Sequence, residues 1–255
     1  MSLSLPHALS VWRRDAAMYR RTWRANLLPN FFEPVFYLFA LGIGVGTYIS
    51  GMGGMSYVEF LAPGLVCVAA MNGASFEVTY NIFVRLNFEK AYDAILTTPV
   101  EPDDVLAGEV LWALTRATIY GGSFLLVAML LGYAPLPHAP LALPIVLLTG
   151  LLFASIGITF SLMIRHIDLF SFYFTLFLTP LFLFSGVFFP LEERLSRGWL
   201  VVAEVLPLVH PVRLARSIFQ ADVGPVALWD AAYALCLSAA LLLWARRLIR
   251  RRLMA

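Results

Sequence analysis

The chain is poor in charge, and its positive residues are almost all arginine. Charged residues make up 13% of its 255 positions, whereas hydrophobic residues make up 60%. This balance excludes the ordinary soluble globular class, and a net charge of +2 offers little attraction for nucleic acid. The single lysine, Lys90, is not part of a G-x-x-x-x-G-K-[ST] sequence. Hydrolysis of ATP by a P-loop within this chain is therefore excluded.

Cysteine and histidine are scarce and scattered, so we expect no metal site, no resident cofactor and no catalytic centre. Cys67 and Cys236 both fall in apolar stretches, which predicts two small buried residues and not a disulfide framework. The histidines lack metal-ligand spacing, and neither H-E-x-x-H nor G-x-S-x-G occurs. The four histidines are His7, His138, His166 and His210.

Long apolar stretches fill most of the chain. A helix needs about 20 mainly apolar residues to cross a hydrocarbon layer about 30 Å thick, and each stretch is close to that length. We predict an all-α membrane protein with six transmembrane helices in a single domain, residues 1–255. The stretches are Phe31–Ser50, Phe60–Val84, Val110–Leu131, Leu141–Ile164, Leu169–Phe189 and Val226–Ala245.

The basic residues gather on one side of these predicted spans. Thirteen of them precede the first span or follow the second, fourth and sixth, whereas the loops Gly51–Glu59 and Gly132–Pro140 contain none. The positive-inside rule predicts that both termini are cytoplasmic. Spans one to five then occupy residues 31–189, an outer loop follows at 190–225, and span six with its basic tail takes 226–255.

The segment before the first span, Pro6–Leu28, is too polar to cross a membrane. It has no apolar core of the kind found in cleavable signal peptides. Its apolar residues recur at helical spacing, which predicts an amphipathic helix lying in the membrane interface. A helix packed on other parts of the protein is the alternative. The apolar stripe consists of Leu5, Leu9, Trp12, Ala16, Tyr19, Trp23 and Leu27.

Leu86–Asp104 is the most polar internal segment. We expect a short helix here, ended by Pro99, with its apolar residues on one face and several charges beside them. Such a helix could dock into a groove of a partner protein or lie back on its own spans, and the pattern does not separate the two. The apolar face would hold Phe88, Tyr92, Ile95 and Leu96, and the neighbouring charges are Glu89, Lys90 and Asp93.

Ionisable residues inside apolar stretches are functional candidates by default, and Glu77 and Arg116 are two of them. Glu77 belongs to the second stretch and Arg116 to the third. They could pair across the spans or line a polar path. Alternatively, Arg116 could extend to the lipid headgroups, because only 15 residues, Ala117–Leu131, follow it before the loop.

The fifth stretch and the loop after it are rich in aromatic rings and proline. Rings stack on sugar faces or lie along acyl chains, although packing or contact with lipid is the alternative. Prolines divide the loop into short apolar pieces that could dip back into the membrane. The rings of the stretch include Phe174, Phe177, Phe184, Phe188 and Phe189, and the prolines are Pro190, Pro207 and Pro211.

Several segments spread along the chain match the motifs of one known family. The segments are EPVFYLFALGIGVG (Glu33–Gly46), FLAPG (Phe60–Gly64), AMNGASFE (Ala70–Glu77), TTPVEPDDVLAGEVLWA (Thr97–Ala113), FSGVFFP (Phe184–Pro190) and LPLVHPVRLAR (Leu206–Arg216). Together they resemble the permeases of type-2 ABC exporters, and more specifically the nodulation protein J branch, whose members belong to lipo-oligosaccharide exporters. The similarity extends over nearly the whole chain.

The resemblance implies an assembly in a bacterial inner membrane: two copies of the permease and two separate ABC subunits that bind ATP and Mg²⁺. Residues 1–30 would be the connecting helix, and 86–104 would hold a coupling helix that contacts the ATPase. The loop 190–225 would form short re-entrant helices that close the path from outside. The implied coupling residues are Phe88, Glu89, Tyr92, Asp93 and Leu96; the path residues are Glu77, Arg116, Phe174, Phe177 and Phe184; the outer gate is Phe188, Phe189, Pro190, Leu206, Pro207 and His210.

The resulting hypothesis is a permease subunit that exports a lipo-oligosaccharide, glycolipid or related amphipathic molecule. Export of a drug-like or polysaccharide substrate on the same fold is an alternative. An ion-coupled carrier that uses Glu77 and an intramembrane lipid-modifying enzyme are alternatives from other classes. Neither the substrate nor the leaflet from which it enters follows from the residues.

Overall fold

The computed structural model describes residues 4–46, 48–49, 54–134, 137–194 and 196–254, and within these ranges it contains helices and no β-strand. The described α-helices are α1 (Leu5–Phe39), α2 (Tyr57–Phe76), α3 (Ile82–Asn87), α4 (Ala91–Ile95), α5 (Pro102–Leu130), α6 (Leu143–Met163), α7 (Phe170–Phe172), α8 (Thr179–Phe184), α9 (Leu191–Arg194), α10 (Arg197–Ala203), α11 (Val209–Phe219) and α12 (Val226–Leu253). Wider π-helical turns continue α1 at Ala40–Val45, join α2 to α3 at Glu77–Asn81, and join α7 to α8 at Tyr173–Leu178. Single 3₁₀ turns at Ala139–Ala142 and Ile167–Leu169 precede α6 and α7.

Within the described part of the chain, five helical segments are long and apolar enough to cross a membrane. They are Tyr57–Asn87, Pro102–Leu130, Ala139–Met163, Ile167–Phe184 and Val226–Leu253. These five confirm predicted spans two to six and establish a multi-pass membrane protein. The predicted first span corresponds to a shorter apolar helix, Phe32–Gly42, so a sixth crossing stays a prediction.

The N-terminal helix differs from its prediction because it is not separated from the first apolar stretch. α1 runs unbroken from Leu5 to Phe39 and passes through Pro34, so the segment before the predicted first span and the span itself form one helix. Proline removes one backbone donor from a helix. A break in the backbone beside lipid would expose several unpaired polar groups, so a continuous helix is the less costly arrangement.

α2 lies at the centre of the bundle. It packs against α5, α6 and α11, while α1 packs on α5 and α12 packs on α6 and α11. In the most apolar part of the second span, 83% of the residues are buried. In the corresponding part of the last span, only 17% are buried. Cys67 in α2 is accordingly buried, but Cys236 in α12 is exposed. The expectation that both cysteines are buried was wrong for Cys236, because α12 lies at the periphery.

The loop after α8 consists of short helices, as its prolines indicated. Pro190 and Pro207 lie between helices, but Pro211 lies in the first turn of α11 and does not interrupt it. A proline is tolerated there because the first backbone N–H groups of a helix have no partner within the helix. How deeply these helices enter the membrane stays a prediction.

A glycine permits the close contact between α1 and α5. A Cβ atom at Gly108 would lie 2.5 Å from Cβ of Val11 and 2.8 Å from the backbone oxygen of Ala8. Real atoms do not approach so closely, so α1 occupies this position only because residue 108 has no side chain.

Gly108→Ala should therefore push α1 away from α5 and lower the free energy of unfolding by about 1–3 kcal/mol, the usual cost of overpacking. Gly122→Ala, in the same helix but with no atom within 4 Å of the added Cβ, is the matched control and should be neutral or stabilising by up to about 1 kcal/mol. Thermal unfolding in detergent measures both. Equal stability of the two variants would contradict this close contact.

Candidate functional site

An ionic network lies inside the bundle near what we call the basic end, which holds the start of α1, α4, the start of α5 and the end of α12. Three acidic and three basic side chains take part, so their formal charges cancel. Five of the six are only 1–6% exposed. The members are Arg14, Asp15, Glu77, Arg85, Glu109 and Arg116.

Arg85 connects all three acids of the network. Its Nη1 donates to Oε2 of Glu109 at 2.7 Å, and its Nη2 donates to Oε1 of Glu77 at 3.1 Å. Asp15 lies 3.4 Å from the same guanidinium. Arg14 adds a hydrogen bond to Asp15 at 2.7 Å and one to Glu109 at 3.1 Å. Buried charges are tolerated only when they are paired in this way, so α1, the second span and α5 are held together by mutual charge compensation.

Glu77 and Arg116 face each other across the second span and α5. Nε of Arg116 lies 3.4 Å from Oε2 of Glu77, which confirms that the two residues pair. Arg116 is 6% exposed and lies over the rings of Tyr19 and Tyr120, at 4.6 and 5.0 Å from their centroids. Its side chain therefore turns into the protein instead of extending outward from the bundle. Glu77 begins a π-helical turn, a feature that is frequent at functional sites.

The predicted coupling segment joins this network to the surface. Tyr92 is 1% exposed, and its hydroxyl donates to Oε1 of Glu109 at 2.8 Å. Burial, reinforced by the Glu109 carboxylate, raises the pKa of Tyr92 well above its usual range, so it remains a neutral donor. Phe88, in contrast, is 68% exposed, and Glu89, Lys90 and Asp93 are also exposed.

The expected common face of Phe88 and Tyr92 is therefore divided between surface and interior. The reason is local: Lys90 has a left-handed φ of 49°, which separates the end of α3 from the five-residue helix α4. Tyr92 on α4 points inward, while Leu96 after its end is half-buried. The prediction that residues 88–96 form one helix with a common apolar face was wrong. The exposed residues Phe88, Glu89 and Asp93 form what we call the contact turn.

The basic tail at the end of α12 is bound to the start of α5, beside the predicted coupling segment. Asp103, in the first turn of α5, accepts hydrogen bonds from Nη2 of Arg246 at 2.7 Å and from Nε of Arg250 at 2.8 Å. Asp104 accepts from the backbone nitrogen of Ser4 at 2.7 Å. Two consecutive acids thus hold the start of α1 and the end of α12 to the start of α5.

The five predicted path residues do not line one continuous surface. Phe174 stacks on Phe76 at a centroid distance of 4.7 Å and lines a cavity of about 190 Å³ between α1, α2 and the fifth span. Phe177 lines a separate groove against α6. Phe184 is exposed at the end of α8, away from the basic end. Glu77 and Arg116 border a third cavity, near the basic end.

The predicted outer-gate residues do gather at the end opposite the basic end. Phe188 packs edge-on against Phe182, with centroids 4.8 Å apart. Phe189 and Leu206 pack on a small apolar cluster of the short helices. Pro190 is half-buried, and Pro207 is buried beside this cluster.

His210 is fully buried at this end within a cluster of charged groups. Its Nδ1 lies 2.7 Å from Oδ1 of Asp230, and its Nε2 lies 3.0 Å from the backbone oxygen of Glu204. Arg213 donates to Oδ2 of Asp230 at 2.9 Å and to Oε2 of Glu204 at 2.9 Å. Glu204, His210 and Asp230 have the mutual spacing of metal ligands. Because Arg213 and the imidazole already occupy these oxygens, the arrangement is an ion-pair cluster.

Comparison with known proteins agrees with this arrangement of helices. The ABC-2 type transporter family matches residues 7–219. The chain belongs to the ABC-2 type transporter family. This membership establishes a membrane permease component of an ABC transporter and implies ATP-binding partner subunits.

Individual relatives of this ABC-2 permease support the same conclusion. Nodulation protein J of Rhizobium leguminosarum bv. trifolii is 39% identical over 210 residues, which cover 82% of this chain and 80% of the relative. Nodulation protein J of Rhizobium meliloti (strain 1021) is 36% identical over the same shares. The inner membrane transport permease YadH of Escherichia coli (strain K12) is 27% identical over 205 residues, 80% of this chain and 78% of that protein.

Sequence patterns alone did not reveal the centre of the permease network. Arg85 was counted among the basic residues that flank the predicted spans, and Asp15 was not singled out. The signal for Asp15 was present, since it lies three residues after Trp12 and four before Tyr19 and so falls on the apolar stripe. Arg85 had a similar signal, because apolar residues adjoin it on both sides.

Arg85→Gln should destabilise the permease by about 3–5 kcal/mol, because three buried acids would lose the guanidinium that they share. Arg165→Gln removes an exposed arginine after α6 and should change stability by less than about 0.5 kcal/mol. Thermal unfolding of both variants in the same detergent gives the comparison. A similar small loss for both would mean that Arg85 does not hold the network together.

The outer cluster should make stability depend on pH. The hydrogen bond from Arg213 lowers the pKa of Glu204 below its usual value of 4.5, so the folded state binds this proton less readily than the unfolded state. The stabilisation is complete above pH 4.5 and is lost as the pH falls through the lowered pKa.

The unfolding temperature of the wild type should therefore fall as the pH is lowered from 5. In Glu204→Gln this fall should be smaller, because glutamine does not titrate. Glu193→Gln, an exposed acid in the same loop, is the control and should keep the wild-type pH profile. Coincident profiles of wild type and the Glu204 variant would exclude this linkage.

Proposed function

We propose that this chain is the membrane-spanning subunit of an ATP-driven exporter that moves a lipo-oligosaccharide, glycolipid or related amphipathic molecule out of the cytoplasm or the inner leaflet. Two copies would form the translocation path in a bacterial inner membrane, with both termini cytoplasmic. Two ABC subunits would bind ATP and Mg²⁺ beneath them. Family membership and the names of the nodulation relatives support this proposal.

The observation that carries the mechanism is the hydrogen bond from Tyr92 to Glu109. On the surface side of this bond, Phe88, Glu89 and Asp93 offer one aromatic ring and two carboxylates to a partner. On the interior side, Glu109 is bound to Arg85, which is bound in turn to Glu77. A displacement of the contact turn would therefore act on α5 and the second span together, since buried ionic groups cannot separate cheaply.

The cavity between α1, α2 and the fifth span suits part of an amphipathic molecule. Its lining combines the aromatic rings of Phe174 and Phe182 with the polar groups of Glu33 and Asn72. Rings offer faces for sugars or acyl chains, while a carboxylate and an amide bond to hydroxyls. In a dimer, the corresponding cavity of a second copy would extend this surface to the length of a larger substrate.

The remaining site residues act at the two ends of this path. Glu77 and Arg116 would hold its basic end, where the second span meets α5. Phe188, Phe189, Pro190, Leu206 and Pro207 would close the opposite end, with the His210 cluster holding the short helices in place. Leu96, half-buried after α4, would support the contact turn and not touch the ATPase directly.

Phe88→Ala should weaken binding of the ATP-binding subunit and lower export at least about tenfold, because an exposed ring in a partner's pocket is a typical interface hot spot. Leu5→Ala, which removes a similarly exposed apolar side chain from the basic end, is the matched control. The measurements are co-purification with the ATP-binding subunit and ATP hydrolysis in nanodiscs.

Full ATPase binding and full export by Phe88→Ala would contradict the contact turn. Failure of the wild-type chain to bind any ATP-binding subunit would contradict the exporter itself. The substrate is tested separately by export into inverted vesicles: transport of a labelled lipo-oligosaccharide supports the proposed class, while transport of only a drug-like dye or a lipid-free polysaccharide replaces it.

A further inference from the structure

A polar cavity of about 300 Å³ lies beside the ionic network, between α1, the second span and α5. It is separate from the aromatic cavity assigned to translocation, since the two share no lining residue. Polar and aromatic groups line it on several sides. Those that matter for its chemistry are Asp15, Tyr19, Asn81, Glu89, Trp112 and Arg116.

Arg116 brings unused hydrogen-bond donors to this cavity. Its Nη2 donates to the hydroxyl of Tyr120 at 3.3 Å, but Nε and Nη1 are buried without a hydrogen-bond partner. Its ionic contact with Glu77 is long, at 3.4 Å. The neighbouring Arg85, in contrast, donates to three carboxylates. A buried donor left unpaired costs about 1–3 kcal/mol, so Arg116 favours an acceptor that the chain itself does not provide.

The acids around the cavity leave room for a negative group next to Arg116. Asp15 is bound by Arg14, and Glu77 by Arg85, so each of these two carboxylates has a guanidinium partner other than Arg116. Glu89 is exposed at the mouth, where its field is weakened by solvent and salt. An oxyanion at Arg116 with an amine near Glu89 would match both charges.

The surroundings of the cavity have the character of a membrane interface. Met18, which lines it, is 48% exposed, and Trp23, one turn further along α1, is also exposed. Arg20 and Arg21 are exposed on the same stretch of helix. Exposed tryptophan and arginine side by side are typical of the level at which lipid headgroups lie.

We propose that this cavity binds the phosphate group of a membrane phospholipid, with Arg116 as the anion-binding residue. A guanidinium with two free donors suits phosphate oxygens. The ligand is a structural or modulating lipid, distinct from the transported molecule, and its binding does not depend on the proposed substrate.

The test uses the full chain in detergent and a short-chain phosphatidylethanolamine, with the fraction of lipid-bound protein measured by native mass spectrometry. Arg116→Gln should weaken lipid binding about tenfold, since it removes a charge-assisted contact. Arg21→Gln, which removes an exposed arginine from α1, is the matched control and should bind as the wild type does.

A second variant keeps the test valid if Arg116→Gln fails to fold. Asn81→Asp adds a carboxylate to the cavity without breaking an ion pair, because Asn81 is exposed on the π turn, and it should also weaken lipid binding. Undiminished binding by either folded cavity variant would overturn the proposal and leave a cavity filled by water. Displacement of the lipid by inorganic phosphate at equal concentration would overturn the lipid assignment in favour of a free-anion site.

Discussion

Charge compensation around Arg85 is the constraint on which the rest of this structure depends. Three carboxylates from three different segments are buried within reach of one guanidinium, and each would be costly without it. Asp15 fixes the position of α1, Glu77 that of the second span, and Glu109 that of α5. The contacts of Tyr92 with Glu109, and of Asp103 with the basic tail, then build outward from this centre to the surface.

Apolar packing and ionic contacts stabilise different parts of the bundle. In the middle, α2 is surrounded by apolar residues, and small residues allow helices to approach closely. Toward the basic end, ionic contacts replace that packing. At the opposite end, Arg216 is held over the ring of Phe60 and donates to the backbone oxygen of Gly186; burial lowers its pKa to about 10. Arg213 and Arg216 are therefore committed to contacts within the protein.

Length and apolar content were enough to predict five spans, because the cost of crossing a membrane depends on composition more than on contacts. The family could also be predicted, since its motifs are contiguous. The site could be predicted only in part. Glu77 and Arg116 were recognisable as charges in apolar stretches, but Arg85 depends on three partners that are 8 to 70 positions away along the chain. The prediction that Tyr92 shares a face with Phe88 failed because Lys90 has a left-handed backbone conformation, which ends one helix and starts another. The periodicity of apolar residues gives no sign of such a break.

The π-helical turns have a consequence for the walls of the cavity between α1, α2 and the fifth span. Such turns follow or interrupt the helices that carry Glu33, Asn72 and Phe174, so three of the cavity's walls contain one. A π turn holds one extra residue, and each residue of an α-helix turns the chain by about 100°. Side chains beyond the turn are therefore rotated relative to an uninterrupted helix. Phe174 and Phe177, both within the turn Tyr173–Leu178, face different cavities. If such a turn moved one position along its helix, a different ring would face the interior while the backbone hydrogen bonds around it re-formed. The wall could thus change its chemical surface by local slippage, without any helix tilting or leaving the bundle.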